Sequence, residues 1–299
     1  MSFVSNATVQ KFLHAFVCLH KDRESKYRKQ VRYLRERFQV YAKGRPDLKV
    51  KKLLFSGSLA KRTHTANLDD IDITAFVDVG EIAEGDLRGV DHRALMDTVR
   101  DTLVAVYGDT KSSDDFEVRS TAVAIHFHGT GLDVDVVPVL IDHDSDWDEG
   151  WVLRGDGPCL RTCIRRHLDF VSQVHAAHPG YREFVRLLKW WRDAQGAKVR
   201  SFVLELLAAH LCRSGVLEPN QPLDAFERFI DWLLQTELDV DIWFDDWFAD
   251  PGTVRERPFL MDPVNPDNNA ADKLQGIWGP SQRVLDLVDC ADRTAAALA

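Results

Sequence analysis

Three aspartates and a glycine–serine pair are the residues of this sequence whose types and spacing could carry chemistry. Asp70 and Asp72 lie two residues apart in a stretch with the alternation and β-branching of a strand, so both carboxylates share one face. Asp135 lies in a second strand-like stretch. Because Mg²⁺ prefers carboxylates, water and substrate phosphates, these three residues are the predicted catalytic residues and metal ligands. A two-metal Mg²⁺ site, in which Mn²⁺ can substitute, would activate an acceptor hydroxyl and neutralise a triphosphate.

Gly57 and Ser58 interrupt a short apolar stretch that begins at Lys52. Glycine lets the backbone come close to an anion, and serine adds a hydroxyl donor at the start of the following helix. We therefore expect this pair to bind nucleotide phosphates. A glycine–serine pair alone is a common turn, and an Asp-x-Asp alone is often a solvated strand edge, so the interpretation depends on their combination. Three carboxylates at one edge would repel one another strongly unless a cation lay among them.

The third carboxylate could come from either of two residues. Asp133 and Asp135 share a face of the strand that follows a predicted hairpin turn at residues 129–131. We favour Asp135, because it stands directly before the Val-Val-Pro sequence at the end of the run. Asp133 is the alternative ligand.

Three segments that carry these residues resemble the polymerase-β-type nucleotidyltransferase superfamily. They are FSGS at 55–58, LDDIDI at 68–73 and VDVVP at 134–138. Two later regions are similar to the oligoadenylate-synthetase and cGAS-like branch: the stretch 181–192 with 201–207, and the Asp-Pro-x-x-Pro-x-x-Asn pattern within 261–269. Taken together, the sequence resembles the bacterial cGAS/DncV-like nucleotidyltransferases, the CD-NTases of antiphage signalling operons.

The resemblance implies both a fold and a reaction. The fold would be α+β, with an N-terminal helix and a polymerase-β-like nucleotidyltransferase lobe of mixed sheet and helices over residues 1–170. A helical lobe would cover residues 171–299, with the active site in the cleft between the lobes. The reaction would be a metal-dependent, template-independent joining of NTPs, ATP among them, into a cyclic or short linear oligonucleotide second messenger, with release of pyrophosphate.

Lys189 and Ser201 are two further nucleotide-binding candidates that depend on the resemblance. Family members use a lysine and a serine in these segments to bind the triphosphate. Without the resemblance, Lys189 reads as a surface lysine and Ser201 as an ordinary helix N-cap.

Composition fits a cytoplasmic protein without a membrane span. The chain has 299 residues, enough for two lobes, and contains no apolar run of about 18 residues. Its start lacks the basic and apolar regions of a secretory signal. Its five scattered cysteines fit a reducing compartment better than a disulfide framework. We expect a monomer.

Charge is spread unevenly along the chain. Thirteen basic and four acidic residues lie between Lys21 and Lys52, whereas the net charge of the whole chain is −9. A basic helix could follow a nucleic-acid backbone, but the acidity of the remainder argues against a constitutive polynucleotide binder. We expect no nucleic-acid activator; the resemblance implies an operon-encoded effector or regulatory protein as partner.

Two other functions stay open from the sequence. A CCA-adding, poly(A)-type or toxin-like enzyme would transfer NMP to RNA or to a protein hydroxyl, and the basic stretch keeps this alternative alive. A catalytically inert NTP-binding module would bind nucleotide without turnover. Three crowded carboxylates argue against the inert module, since a lost activity imposes no need to keep them.

Overall fold

The chain forms two compact units in a computed structural model. The structure describes residues 5–68, 70–80, 87, 90–108, 110–141, 149–155, 157–272, 275–276, 279–280 and 282–298. One unit, here the sheet unit, comprises Leu19–Arg62 and Asn67–Arg165. The other, the helical unit, comprises Met1–Cys18, Thr63–Ala66 and Arg166–Ala299.

The described residues of the sheet unit form seven strands. In chain order they are β1 (Val50–Phe55), β2 (Asp70–Asp78), β3 (Phe116–Val118), β4 (Val123–Phe127), β5 (Leu132–Ile141), β6 (Glu149–Arg154) and β7 (Gly157–Cys163). Their order in the sheet is β1-β2-β5-β4-β3, with β6 pairing to β5 and β7 to β6. Strands β2 and β5 run parallel, and the other described pairs are antiparallel. This central parallel pair carries the candidate carboxylates.

In the described part of the same unit, three α-helices accompany the sheet: α2 (Lys21–Lys43), α3 (Gly57–Lys61) and α4 (His92–Tyr107). Helix α2 buries one apolar stripe at helical spacing, formed by Tyr27, Val31, Leu34, Phe38 and Ala42. Its basic residues therefore lie on the remaining faces. Helix α4 begins at the N-cap Asp91, whose carboxylate accepts hydrogen bonds from two first-turn N–H groups at 2.8 and 3.1 Å.

The helical unit begins with α1 (Asn6–Phe12), which continues into a π-helical turn at Leu13–Val17. Its remaining helices are α5 (Ile164–Ala177, which starts in the sheet unit), α6 (Tyr181–Gln195), α7 (Ser201–Arg213), α8 (Pro222–Thr236) and α9 (Gln282–Leu298). Its described residues also form two small sheets: β8 (Asp241–Ile242) with β9 (Phe259–Leu260), and β10 (Gln275–Gly276) with β11 (Gly279–Pro280). Across the described parts of the chain, no helix combines the length and the apolarity that a membrane crossing needs.

The two units differ from the division expected at residue 170. The first eighteen residues belong to the helical unit, because Leu13 and Val17 are fully buried in its core. The short segment Thr63–Ala66 belongs there too, and the Ala66 N–H donates to the Val17 carbonyl at 2.7 Å. The apolar face of the first helix thus packs within the helical unit, although the residues that follow it in the chain form the sheet unit.

Candidate active site

The register between β2 and β5 places the candidate carboxylates side by side. Asp72 stands opposite Asp135, and Asp70 stands opposite Asp133. The alternate residues Ile71 and Ile73 of β2 are buried in the core, as the period-two pattern predicts. Both Asp-x-Asp pairs therefore lie on the same face, at the start of two adjacent parallel strands.

Gly57 lies directly against Asp72. It adopts a φ of 61°, and a Cβ built there would lie 1.7 Å from Asp72 Oδ2. The contact arises because the Ser56 N–H donates to the Asp72 carbonyl at 3.0 Å, which extends the β1–β2 pairing to the start of α3. The Ser56 hydroxyl also accepts a hydrogen bond from Thr74 at 3.0 Å. The structure thus brings Gly57, and with it Ser58 in the first turn of α3, next to Asp72.

Crowding and burial alter the acidity of two of these carboxyls. Burial, together with the charges of Asp70 and Asp135, raises the pKa of Asp72 to about 6. Burial also raises the pKa of Asp135, although Arg119 opposes the shift. The ionised form of Asp72 is therefore disfavoured by its surroundings. A cation at this position would relieve that cost.

Arg119 binds the carboxylates of β5. Its Nη1 donates to both oxygens of Asp135, at 2.9 and 3.0 Å, and its Nη2 donates to Asp133 at 3.3 Å. Its Nε donates to Glu117 at 3.0 Å. Asp133 has a further partner, since His126 Nδ1 lies 2.8 Å from its Oδ1. Sequence reasoning missed Arg119 because it belongs to no motif; its place beside the predicted hairpin was the one available signal.

The three aspartates have the right chemistry for a divalent metal, but in this conformation their side chains are not grouped around one position. Carboxylate oxygens are the hard ligands that Mg²⁺ takes, and the mutual repulsion described above favours a cation. Gly57 leaves the space beside Asp72 free of a side chain. Within the described residues, however, no three His, Cys, Asp or Glu side chains are grouped closely enough to hold an ion. In this conformation the Asp135 carboxylate is bound by Arg119 instead.

Lys189 lies in the helical unit and is buried. Its side chain is 4% exposed, and its Nζ donates to Glu205 at 2.8 Å and to the hydroxyl and carbonyl of Thr63 at 3.0 and 3.1 Å. Glu205, on α7, is equally buried and also accepts a hydrogen bond from the Thr63 hydroxyl at 2.9 Å. The structure therefore shows Lys189 in an internal ion pair that fixes the segment Thr63–Ala66. Sequence reasoning overlooked Glu205, whose place within an apolar helix was the available signal.

Ser201 is the first residue of α7, and the N-cap position belongs to Arg200. The Ser201 hydroxyl accepts a hydrogen bond from Arg192 Nη1 at 2.9 Å. The same Arg192 nitrogen donates to the Val199 carbonyl at 3.0 Å, so it ties the end of α6 to the start of α7. Lys189 and Ser201 are thus described in the helical unit, whereas Gly57 and the aspartates are described in the sheet unit.

The Asp-Pro segment at 261–269 forms a loop held by its own side chains. The buried Asp262 accepts hydrogen bonds from the Val264 N–H and from Asn268, each at 2.9 Å, and its Oδ1 lies 3.0 Å from His167 Nε2. Burial would raise the pKa of Asp262, but the His167 contact and these hydrogen bonds hold it below its ordinary value. The segment therefore has a structural role within the helical unit.

A mixed sheet whose central parallel pair carries an Asp-x-Asp and a third aspartate, beside a glycine–serine turn, defines a nucleotidyltransferase lobe of the polymerase-β type. No family model matches the chain. Over 276 residues it is 34% identical to the cyclic AMP-AMP-AMP synthase of Escherichia coli strain MS 115-1, a match that covers 90% of this chain and 84% of that protein. It is also 29% identical to a CBASS oligonucleotide cyclase, CdnC, of E. coli strain KTE188, over 91% of this chain and 85% of that protein.

Solved structures of CdnC from E. coli MS115-1 have the same fold. The structure with ATP superposes with a TM-score of 0.80 at 32% identity, covering 98% of this chain and 91% of that one. The complex with HORMA-deltaN gives a TM-score of 0.81 at 30% identity, covering 98% and 90%. The chain belongs to the bacterial CD-NTases. This membership confirms the family, the fold class and the enzyme class, a nucleotidyltransferase cyclase, that the sequence predicts.

Proposed function

We propose that this chain is a metal-dependent, template-independent nucleotidyltransferase that joins NTPs into a cyclic oligonucleotide messenger and releases pyrophosphate. The observation that carries the proposal is the register of β2 and β5, which sets Asp72 opposite Asp135 beside Gly57. A relative 34% identical is named cyclic AMP-AMP-AMP synthase, and an E. coli relative is solved with ATP, which supports ATP as a substrate. A relative named a CBASS cyclase supports a place in antiphage signalling.

Asp70, Asp72 and Asp135 would hold Mg²⁺, for which Mn²⁺ would substitute. When bound, the metal supplies Lewis-acid chemistry: it lowers the pKa of an acceptor hydroxyl and balances the charge of the triphosphate. Gly57 keeps the approach to Asp72 open, because any side chain at this position would overlap that carboxylate. Ser58, the next residue, would donate its hydroxyl to a phosphate oxygen.

Asp135 is better placed than Asp133 to be the third ligand. It stands opposite Asp72 in the register, and its side chain is 16% exposed against 31% for Asp133. Asp133 is also the partner of His126. Lys189 and Ser201 stay proposed ligands of the triphosphate, and Lys189 would have to exchange one of its present partners to reach it.

The direct test is product formation from labelled NTPs with Mg²⁺ or Mn²⁺, identified by mass spectrometry. We expect a cyclic oligonucleotide that contains adenosine. The double variant Asp70→Asn and Asp72→Asn should abolish it while circular dichroism stays unchanged. The matched control is Asp97→Asn, on α4, whose side chain is 41% exposed. Undiminished product from the double variant would exclude the assigned site, and labelled RNA or protein in place of an oligonucleotide would favour the transfer of NMP to such acceptors.

A HORMA-domain protein is the proposed regulatory partner. The proposal is supported by the E. coli CdnC structure, which is a complex with HORMA-deltaN. Product formation should therefore be measured with and without a HORMA-domain protein from the same operon. Stable co-elution and a faster rate are expected, and no co-elution at micromolar concentrations would contradict the partner.

A further inference from the structure

Arg119 binds Asp135, the third carboxylate of the candidate site. Arg119 follows β3, and its N–H donates to the Ala122 carbonyl at 2.8 Å, which closes the turn into β4. Strand β4 pairs with β5 so that Ala124 stands opposite Asp135. The turn therefore delivers the guanidinium to the face of β5 that carries the aspartates.

The contact with Asp135 uses both of its oxygens. Nη1 lies 2.9 Å from one and 3.0 Å from the other, and Nη2 reaches Asp133 at 3.3 Å. Charge-assisted contacts of this kind are among the stronger hydrogen bonds in proteins. Because the guanidinium already contacts both oxygens, a metal ion that binds Asp135 would compete with it for these oxygens and would be repelled by its positive charge. The two cations thus compete at Asp135.

Arg119 also has an ion-pair partner other than the aspartates of β5. Its Nε donates to Glu117 at 3.0 Å, and the Arg119 side chain is 35% exposed while that of Glu117 is 55% exposed. A guanidinium released from Asp135 would keep the Glu117 partner and gain water. Replacement of the guanidinium by a metal ion at Asp135 therefore leaves no unpaired charge buried in the protein.

We propose that Arg119 competes with the divalent cation for Asp135, and so keeps the metal affinity of the nucleotide-free enzyme low. This inference rests on the proposed function, since it assumes that Asp70, Asp72 and Asp135 hold the cation. Arg119 is then a positioning residue that acts through Asp135. The third ligand is released when the cation outcompetes the guanidinium.

The test is Mn²⁺ binding to the full chain without nucleotide, measured by the electron paramagnetic resonance signal of free Mn²⁺. Arg119→Gln should bind Mn²⁺ about tenfold more tightly than the wild type, the effect of losing one competing charge-assisted contact. Arg119→Lys, which keeps the charge but loses the fork, should tighten binding by less. The matched control is Arg100→Gln on α4, an ion-paired arginine of the same unit with 38% exposure, which should not change Mn²⁺ binding. Unchanged or weaker binding by both Arg119 variants would overturn the inference.

A double-variant cycle separates this inference from the assignment of the metal site. In an Asp135→Asn background, Arg119→Gln should no longer tighten Mn²⁺ binding, because the shared carboxylate is gone. A gain of the same size in that background would mean that Arg119 acts through general charge, which also overturns the inference. If Asp72→Asn binds Mn²⁺ as the wild type does, the metal site itself is misassigned. If Asp72→Asn loses Mn²⁺ while Arg119→Gln gains nothing, only the competition is excluded.

Discussion

The buried pair of Lys189 and Glu205 gives a prediction with a magnitude. Both side chains are 4% exposed, and the Nζ to Oε1 distance is 2.8 Å. Removing one partner of a buried pair leaves an uncompensated charge, which costs about 3–5 kcal/mol. We therefore expect Lys189→Met to lower the free energy of unfolding by about this amount, because Glu205 and the Thr63 hydroxyl lose their cation.

The measurement is urea denaturation followed by tryptophan fluorescence, with Trp190 and Trp191 as neighbours of Lys189 in the chain. The control is Lys198→Met, an exposed lysine after α6, which should lie within about 0.5 kcal/mol of the wild type. A second variant replaces both charges, Lys189→Met with Glu205→Met. It should lie within about 2 kcal/mol of the wild type, since replacing both members of a buried pair by apolar residues is often close to neutral.

The double variant also separates the two roles considered for Lys189. If Lys189 contacts the triphosphate, the refolded double variant should lose affinity for a fluorescent ATP analogue. Unchanged affinity would leave the ion pair as its sole role. A loss of stability below about 1 kcal/mol in Lys189→Met would refute the reasoning about burial, because that reasoning requires a charge left in the core.

Three further predictions concern single positions. Gly57→Ala should abolish product formation, because its φ is 61° and its Cβ would overlap the Asp72 carboxylate. Gly80→Ala, whose φ is 86° and whose Cβ would meet no described residue within 4 Å beyond its chain neighbours, should keep full activity in the same product assay. In EDTA, the raised pKa of Asp72 should remove about 2 kcal/mol of stability from the wild type between pH 4.5 and about 6, because the folded state binds more protons than the unfolded state in this range. Urea denaturation at pH 4.5 and 8 should therefore show a fall in stability that is smaller by about this amount in Asp72→Asn. Asp262→Asn should lower the melting temperature by weakening the hydrogen bonds to a buried carboxylate, at a cost of about 1–3 kcal/mol, while the exposed Asp267→Asn should not.

Local patterns in the sequence predicted the parts of the site that depend on neighbouring residues. The alternation around Asp70 and Asp72 predicted one polar face, and Ile71 and Ile73 are buried on the other. The sequence did not allow the pairing of Asp72 with Asp135 to be predicted, because a parallel register joins segments about sixty residues apart and depends on the whole sheet. The contact of Arg119 with Asp135 depends on that same register.

Two residues of the helical unit show a second reason. Lys189 has the sequence pattern of a surface or ligand-binding lysine, and its burial depends on Glu205, sixteen residues further along in a different helix. The burial of Lys189 is thus set by a tertiary contact and not by its local sequence pattern.

The helical unit is assembled from three separate pieces of the chain, Met1–Cys18, Thr63–Ala66 and Arg166–Ala299. The ribosome therefore makes its first two pieces before most of the sheet unit and its last piece after it. Lys189, which is synthesised late, binds Thr63, which is synthesised early. The Ala66 N–H, in contrast, donates to the carbonyl of Val17, which has been synthesised before it. The sheet unit can thus begin to fold on the emerging chain, whereas a fragment that ends at residue 165 would leave Leu13 and Val17 without the helical-unit core that buries them.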